Sequence, residues 1–404
     1  MIVLRVFLPF AVAYLVAYLL RVVNAVAGEP LSAELGLSAT ELGFLTSVYL
    51  FGFALTQLPF GVLMDRYGPR KVEAAVLVLA AAGCGLFAVA SDFGELVVGR
   101  ALMGIGASMC LMGPFTAYRR WFSAERLPLV VALHMTFGAL GSTIGGGPTA
   151  FLLDIVGWRA LFAILAGAVL LSSAAILLVV PRRHEERLVT PVGPMIAEVG
   201  GILRSRALWR VAPLAATTQA GYLAVVSLWT GPWLREVAGL SPADAALWLS
   251  IASSGLIAGF IGFGVLASRI GGGTRGLEIF VSGAALYTIV SLLIIVLPPA
   301  AATPLWFLYA AIGTGGILTY AVACAAFPAA MAGRVNTALN FIVFVFSFAV
   351  QWAFGFVLDL FPGPDGGVTA FGFRVALSAL LALTVVSFVP LLLAGRVPVA
   401  AAAR

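Results

Sequence analysis

Apolar runs of about twenty residues recur from one end of this 404-residue chain to the other, and that repetition restricts its fold more than any other feature. Each run is long enough to cross a hydrocarbon layer roughly 30 Å thick as a helix. Taken in order, the runs predict spans at roughly 5–27, 41–64, 72–91, 95–118, 128–153, 158–180, 208–233, 243–268, 276–297, 303–326, 335–360 and 370–393. Composition agrees: with 62% hydrophobic and 10% charged residues, a water-soluble domain would lack the polar side chains to cover its surface. Inside a hydrocarbon layer the backbone must satisfy its own polar groups, so helix is expected throughout. The expected fold class is an all-α membrane protein with twelve transmembrane helices. The first run, with Arg5 ahead of it, has the look of a signal peptide, but another span follows directly and it is retained as a helix.

Twelve is an even number, so both termini lie on one side. Of 23 basic residues, eighteen fall on the terminus side; Arg159, Arg235, Arg374 and Arg100 fall on the other, and Arg21 is left inside the first span. Positive loops are retained in the cytoplasm, which predicts cytoplasmic termini in a bacterial inner membrane. The same loops account for the net charge of +6, so no nucleic-acid partner is expected. The longest polar stretch, Pro181 to Arg210, contains Arg182-Arg183-His184-Glu185-Glu186-Arg187 and falls midway along the chain. It predicts a cytoplasmic linker over residues 181–207, between six-helix bundles at 1–180 and 208–404.

An internal repeat supports that division. Gly61-Val62-Leu63-Met64-Asp65-Arg66-Tyr67-Gly68 and Gly264-Val265-Leu266-Ala267-Ser268-Arg269-Ile270-Gly271 share five of eight positions at an offset of 203 residues, half the chain. A weaker echo pairs Asp154, Gly157, Trp158 and Arg159 with Asp359, Gly372, Phe373 and Arg374. Each half has an even number of spans, so the halves are parallel repeats, and sites in such proteins lie between them.

The first repeat extends through Pro69, Arg70 and Lys71 to fit G-x-L-x-D-R-x-G-x-R-K, and here the chain closely resembles the signature loop of the major facilitator superfamily. Physically, its glycines permit close helix approach and a sharp turn, Asp65 suits a neighbouring helix N-terminus, and Arg66, Arg70 and Lys71 suit an anionic leaflet. The resemblance implies alternating-access transport, with Gly61, Asp65, Arg66, Gly68 and Arg70 acting in gating and Asp65 latching the halves in the outward-open state. Ser268 replaces the acid in the second copy, which puts any charge latch in the N-terminal half. Arg100 opens an R-x-x-x-G-x-G pattern similar to the family's fourth helix and joins the gating set. Gly138, Gly141, Gly145, Gly146, Gly147 and Pro148 in the fifth span resemble, loosely, the glycine-proline motif of facilitator antiporters; Gly138, Gly141 and Gly145 share one face, and close helix packing explains that spacing.

Ionisable groups inside a span cost several kcal/mol when they face lipid, so each is a functional candidate. Arg21 shares a helical face with Tyr14, Tyr18 and Asn24. Tyr18-Leu19-Leu20-Arg21 resembles the Y-x-x-R of organophosphate and organic-anion facilitators, whose arginine binds the substrate's anionic group. Gln57 stands where those phosphate carriers have a second cation, which favours a monoanion such as a carboxylate over a phosphate ester. The alternative for Arg21 is a side chain that snorkels to the headgroups or serves a structural hydrogen bond. Gln219 and Tyr222 in the seventh span, and Asn340 and Phe344 in the eleventh, complete the expected binding set; Trp229 and Trp233 read either as cavity lining or as an interfacial belt. His134 is either a hydrogen-bonded packing residue or a proton carrier. All 17 acidic residues fall in loops or at expected span ends, which leaves no mid-membrane carboxylate for a proton relay.

Cys84, Cys110 and Cys324 lie within spans without metal-ligand spacing, so packing roles are expected, and no metal or other cofactor. Nucleotide-binding loops and nucleophile–base arrangements are absent from the sequence, which argues against an enzyme. The expectation is a monomeric secondary carrier, embedded in lipid, that takes a small anionic substrate. A proton-linked exporter of amphipathic compounds is the alternative.

Overall fold

A computed structural model describes residues 3–123, 126–182, 192–270, 274–328, 331–363 and 367–393. Among them, eleven helices are long and apolar enough to cross a membrane, and the shorter apolar segment Leu129–Ile144 is a twelfth candidate. Helix α1 covers Val3–Val22, breaks at Val23 and continues as Asn24–Leu35, well past the expected end near residue 27. Gly36 stops it at φ 67°, a conformation that costs glycine little. Helix α2 (Ala39–Tyr67) begins earlier than expected because Ser38 and Glu41 form a reciprocal capping box.

Helix α3 (Pro69–Val89) follows the turn at Gly68, and α4 (Phe93–Ala107) is capped by Asp92 and resumes after a short irregular turn as Met112–Trp121. Helices α5 (Leu127–Ile144) and α6 (Gly147–Val179) differ from the expected division at residues 153–158. The chain breaks at Gly146, and Gly157, at φ 75° and ψ 166°, is a kink inside α6. Beyond the kink, Trp158 to Val179 forms the sixth crossing.

The C-terminal half repeats the plan with α7 (Arg206–Val237), α8 (Pro242–Ile270), α9 (Thr274–Val296), α10 (Pro299–Cys324), α11 (Ala332–Asp359) and α12 (Ala370–Leu393). Helix α7 carries π-helical turns at Val225–Trp229 and Trp233–Val237, and α10 a 3-10 turn at Thr314–Ile317; such irregular turns are frequent at functional positions. The polar stretch between the halves contains a further helix, Val192–Leu203, whose Val199 and Ile202 are buried with residues of α7, α9 and α11. Glu198 pairs with Arg334 at the start of α11, so this segment is fastened to the C-terminal half. Arg183 to Pro191 lies outside the described residues.

One buried cluster draws mainly on α1 to α6 but also takes in Leu223 of α7 and Phe344 of α11. A second draws mainly on α7 to α12 with Ala25, Leu42 and Ala139 of the first half, and a third lies in the C-terminal half. The close packing read from Gly138, Gly141 and Gly145 is present: their bare faces meet Tyr14, the Leu15 backbone and Val22 of α1. Apolar side chains such as Leu171, Leu178, Ile289 and Phe371 stay uncovered on the outside, as helices bathed in hydrocarbon require.

Candidate functional site

Arg21 lies near the end of the first segment of α1, just before the break at Val23. It is buried, which removes the snorkelling alternative, and its guanidinium lies 4.3 Å from the Tyr18 ring centre, 5.3 Å from Phe53 and 5.5 Å from Phe344. The hydroxyls of Tyr14, Tyr49 and Tyr222 are close enough to act on its charge. Phe344 comes from α11 and Tyr222 from α7, so the cage draws on both halves. Among the described residues Arg21 forms no ion pair, and its Nε has no hydrogen-bond partner. Desolvated aromatic faces return about 2 kcal/mol to a cation, less than the several kcal/mol that its burial costs.

The other expected binding residues are committed elsewhere. Asn24 lies beyond the break in α1 and donates to Thr46 Oγ1 at 2.9 Å. Gln57 donates to the Ser108 carbonyl at 3.4 Å, and Gln219 to the Gly316 carbonyl at 3.0 Å and Thr319 Oγ1 at 3.2 Å. Asn340 accepts from Tyr320 at 2.8 Å, leaving its own Nδ2 without a partner among the described residues. Of the expected set, the structure therefore joins Arg21, Tyr18, Tyr222 and Phe344. Sequence reading missed Phe53 and Tyr49, which look like any apolar residue of a span; only their register on α2, opposite Arg21, marks them.

Trp229 and Trp233 are buried, so they do not form an interfacial belt: Trp229 stacks on Phe354 and Trp233 meets Trp306 edge-on. Arg100, counted above as an outer-side charge, is fully buried. It donates to the Leu20 carbonyl at 2.8 Å, next to the break in α1, and lies 5.3 Å from the Tyr49 ring centre.

His134 is buried with both ring nitrogens engaged. A carbonyl only accepts, so the 3.0 Å contact with the Cys110 carbonyl puts the hydrogen on Nε2, and Tyr118 then donates to Nδ1 at 3.0 Å. Tyr14 stacks on the ring. One acidic residue departs from the sequence expectation: Glu73, read as a span-end residue, is fully buried inside the N-terminal half.

The halves meet tightly on the side away from the termini. Asp359, the last residue of α11, accepts from the backbone N–H groups of Ala39 at 3.0 Å and Thr40 at 2.7 Å, at the start of α2. A carboxylate at the end of its own helix opposes that helix's dipole, and the N-terminus of α2 offsets this. Nearby, Gly147 N–H donates to Ser250 Oγ at 2.7 Å, and Ser250 donates to the Thr143 carbonyl at 3.0 Å, which is why the helix breaks at Gly146. Glu29 and Arg235 form an ion pair between α1 and α7. Within the N-terminal half, hydrogen bonds from Arg159 and then Trp158 hold the Glu34 carboxyl below its ordinary range.

In the signature loop, Gly68 turns at φ 79°, Arg66 is exposed over Tyr67, and Arg70 donates to the Leu177 carbonyl at the end of α6. Gly61 and Asp65 lie on α2, but their side positions are outside the described residues, so the expected Asp65 latch is not visible.

Residues 10–351 match the profile of the Major Facilitator Superfamily. The chain belongs to this superfamily. The facilitator is thus a multi-span membrane protein of that superfamily. A bacterial homologue of the human lysosomal transporter Spinster has a similar fold at TM-score 0.77, with 17% identity over 97% of this chain and 96% of that one. A D-xylose–proton symporter matches at TM-score 0.75 and 17% identity, over 95% and 97% of the two chains. In sequence, the facilitator is 26% identical to a putative metabolite transport protein of Haemophilus influenzae, over 60% of this chain and 61% of that one. It is 29% identical to a probable L-galactonate transporter of Escherichia coli over 37% and 33% of the two chains, and 28% to a probable sulfoacetate transporter of Cupriavidus necator over 39% and 36%. The facilitator thus spans less than two thirds of the length of each of these curated relatives.

Proposed function

We propose that this facilitator moves a small organic anion, carboxylate-like and singly charged, across the inner membrane by alternating access. The observation that carries the reading is Arg21: a buried guanidinium, caged by aromatic rings from both halves and without an acid partner among the described residues. Arginine keeps its proton at any accessible pH, so the remaining cost of burying it is met by an anion or by water in the cavity. An anion that bridges the cage touches Tyr18 and Phe53 on one side and Phe344 and Tyr222 on the other, and so binds the halves in one arrangement more tightly than in another. That difference is what alternating access requires. Relatives named for L-galactonate, sulfoacetate and tartrate support a small organic anion, and of these L-galactonate carries the single charge of the proposed substrate.

The two bundles, residues 1–180 and 208–404, are the moving bodies in this reading, with 181–207 linking them on the cytoplasmic side, where both termini lie. The closure described above is then the periplasmic gate, and the conformation is open to the cytoplasm. Asp65, with Gly61, Arg66, Gly68, Arg70 and Arg100, serves the opposite, outward-open arrangement. The purified protein tests the reading: thermal stabilisation is measured across carboxylates, sulfonates, phosphate esters and cationic dyes. Stabilisation by a carboxylate or sulfonate is expected, and stabilisation by cationic amphipaths alone replaces this reading with export.

A further inference from the structure

Between α1 and α6 lies a cavity of about 480 Å³ that opens sideways, away from the protein. Its α1 wall is one helical face, Leu4, Leu8, Val12 and Val16, spaced by four. The α6 wall recedes because the residues it presents are small: Ala168, Ser172 and Ala175, spaced by four and three. Leu4, Leu8 and Val12 are exposed, as are Leu171 and Val179 on the rim, so the groove is reached from lipid. Ser172 is its one polar lining residue, and that hydroxyl donates to the Ala168 carbonyl at 2.8 Å. A groove so lined has no partners for water and suits an alkyl chain.

Length and charge identify which chain. From Leu4 to Val16 the helix rises about 18 Å, close to the depth of one leaflet, half of a hydrocarbon layer roughly 30 Å thick. The end at Leu4 and Val179 is the terminus side of the membrane, and two arginines stand there: Arg5, next to Leu4, and Arg182, three residues past Val179. Both are exposed, and neither forms an ion pair among the described residues. Arg70 of α3 donates to the Leu177 carbonyl, which adds a third cation at the end of α6. A headgroup with a net negative charge therefore meets guanidinium groups where its chain enters the groove. A second copy of the protein fits less well: a two-fold contact along this face brings the same arginines of both copies to one end of the interface, where like charges repel.

We propose that the groove between α1 and α6 binds one anionic phospholipid of the leaflet on the terminus side, with an acyl chain between Leu8 and Ala175 and the phosphate held by Arg5 and Arg182. Charge-assisted hydrogen bonds from guanidinium to phosphate set the headgroup preference, and the groove sets the single occupancy. The opposite face of α1 is already packed by Gly138, Gly141 and Gly145 of α5, so the lipid completes the enclosure of the helix that carries Arg21. A ligand that binds only the folded state stabilises it, so this lipid raises the melting temperature. The inference goes beyond the anion reading and does not depend on it.

Native mass spectrometry of the detergent-purified protein counts the bound lipid, with phosphatidylglycerol, phosphatidylcholine and glycerol phosphate as probes. Wild type is expected to retain one phosphatidylglycerol in preference to phosphatidylcholine, and to take up no glycerol phosphate at the same concentration. The double variant Arg5→Gln/Arg182→Gln should lose about 30-fold in phosphatidylglycerol affinity, roughly fivefold for each arginine, and keep its affinity for phosphatidylcholine. Ala175→Phe fills the groove and should weaken binding of both lipids. Equal affinity of wild type for the two lipids overturns the proposal, as does undiminished phosphatidylglycerol binding in the double variant. Glycerol phosphate bound as tightly as the lipid makes the arginines a free-phosphate site, and a dimer that Ala175→Phe dissociates gives the groove to a second copy; either result also overturns it. Should Ala175→Phe fail to fold, the double variant, which alters only exposed side chains, still decides.

Discussion

Replacing Asp359 with asparagine tests whether the closed side of the molecule is held by a charge placed on the wrong end of its own helix. Asp359 accepts two backbone hydrogen bonds from the first turn of α2, one on each oxygen. Asparagine keeps one acceptor and loses the charge. The lost cap bond is worth about 1 kcal/mol. The lost interaction with the α2 dipole, about 0.3–1 kcal/mol, is nearly cancelled by relief of the unfavourable charge at the end of α11. Exposure of the site and screening by salt keep the net change near ~1 kcal/mol, which shifts the balance between closed and open arrangements about fivefold. Local relief in α11 means that the fold survives.

The assay is a distance distribution between spin labels at two exposed positions, Ser91 in the loop after α3 and Ala300 in the first turn of α10, with Cys324 replaced by alanine to avoid stray labelling. Asp359→Asn is expected to enlarge the long-distance population several-fold, with little dependence on salt because the two charge terms nearly cancel. An unchanged distribution at low salt refutes the role assigned to Asp359.

Gly355→Ala places a Cβ onto the Ala39 backbone, where nothing can yield without separating α2 from α11, so the same label pair should lengthen; an unaltered distribution means that the contact between halves is not tight there. Arg159 and Trp158 depress the Glu34 carboxyl, so their stabilisation is present above the ordinary carboxylate range and is lost as pH falls through the depressed value. Glu34→Gln should therefore flatten the acid end of a melting-temperature profile against pH, and parallel profiles for the two proteins count against it. Ser250→Ala removes the acceptor for Gly147 N–H across the α5–α8 crossing and should raise the hydrogen-exchange rate at Gly147, with unchanged protection as the contrary result.

Much of this fold was legible because the hydrophobic runs, the basic loops and the repeated loop at Gly61 and Gly264 all answer to one constraint, the hydrocarbon layer. Breaks within spans were less legible. Gly146 departs from helix because Ser250, more than a hundred residues away, takes the Gly147 N–H, and no local pattern announces such a partner. Arg21, Tyr18, Tyr222 and Phe344 were found by helical register, which survives folding. Asn24, Gln57, Gln219 and Asn340 share that register, yet their amides are taken up by Thr46, the Ser108 carbonyl, the Gly316 carbonyl and Tyr320, because hydrogen-bond partners inside a membrane are set by neighbouring helices. Glu73 was hidden by its position: four residues after Pro69 it reads as a headgroup acid, and only the small face of Gly113 shows that it turns inward.

The central claim is that Arg21 holds the transported anion, and the most direct measurement is anion affinity in purified wild type, Arg21→Lys and Arg21→Ala, titrated with L-galactonate, tartrate and sulfoacetate. Charge-assisted hydrogen bonds contribute about 1.5–3 kcal/mol, so Arg21→Ala should weaken binding of the recognised anion by about 10- to 150-fold. Arg21→Lys keeps the charge without the planar fork and should fall between the two. A folded Arg21→Ala protein that binds the same anion with wild-type affinity contradicts the account.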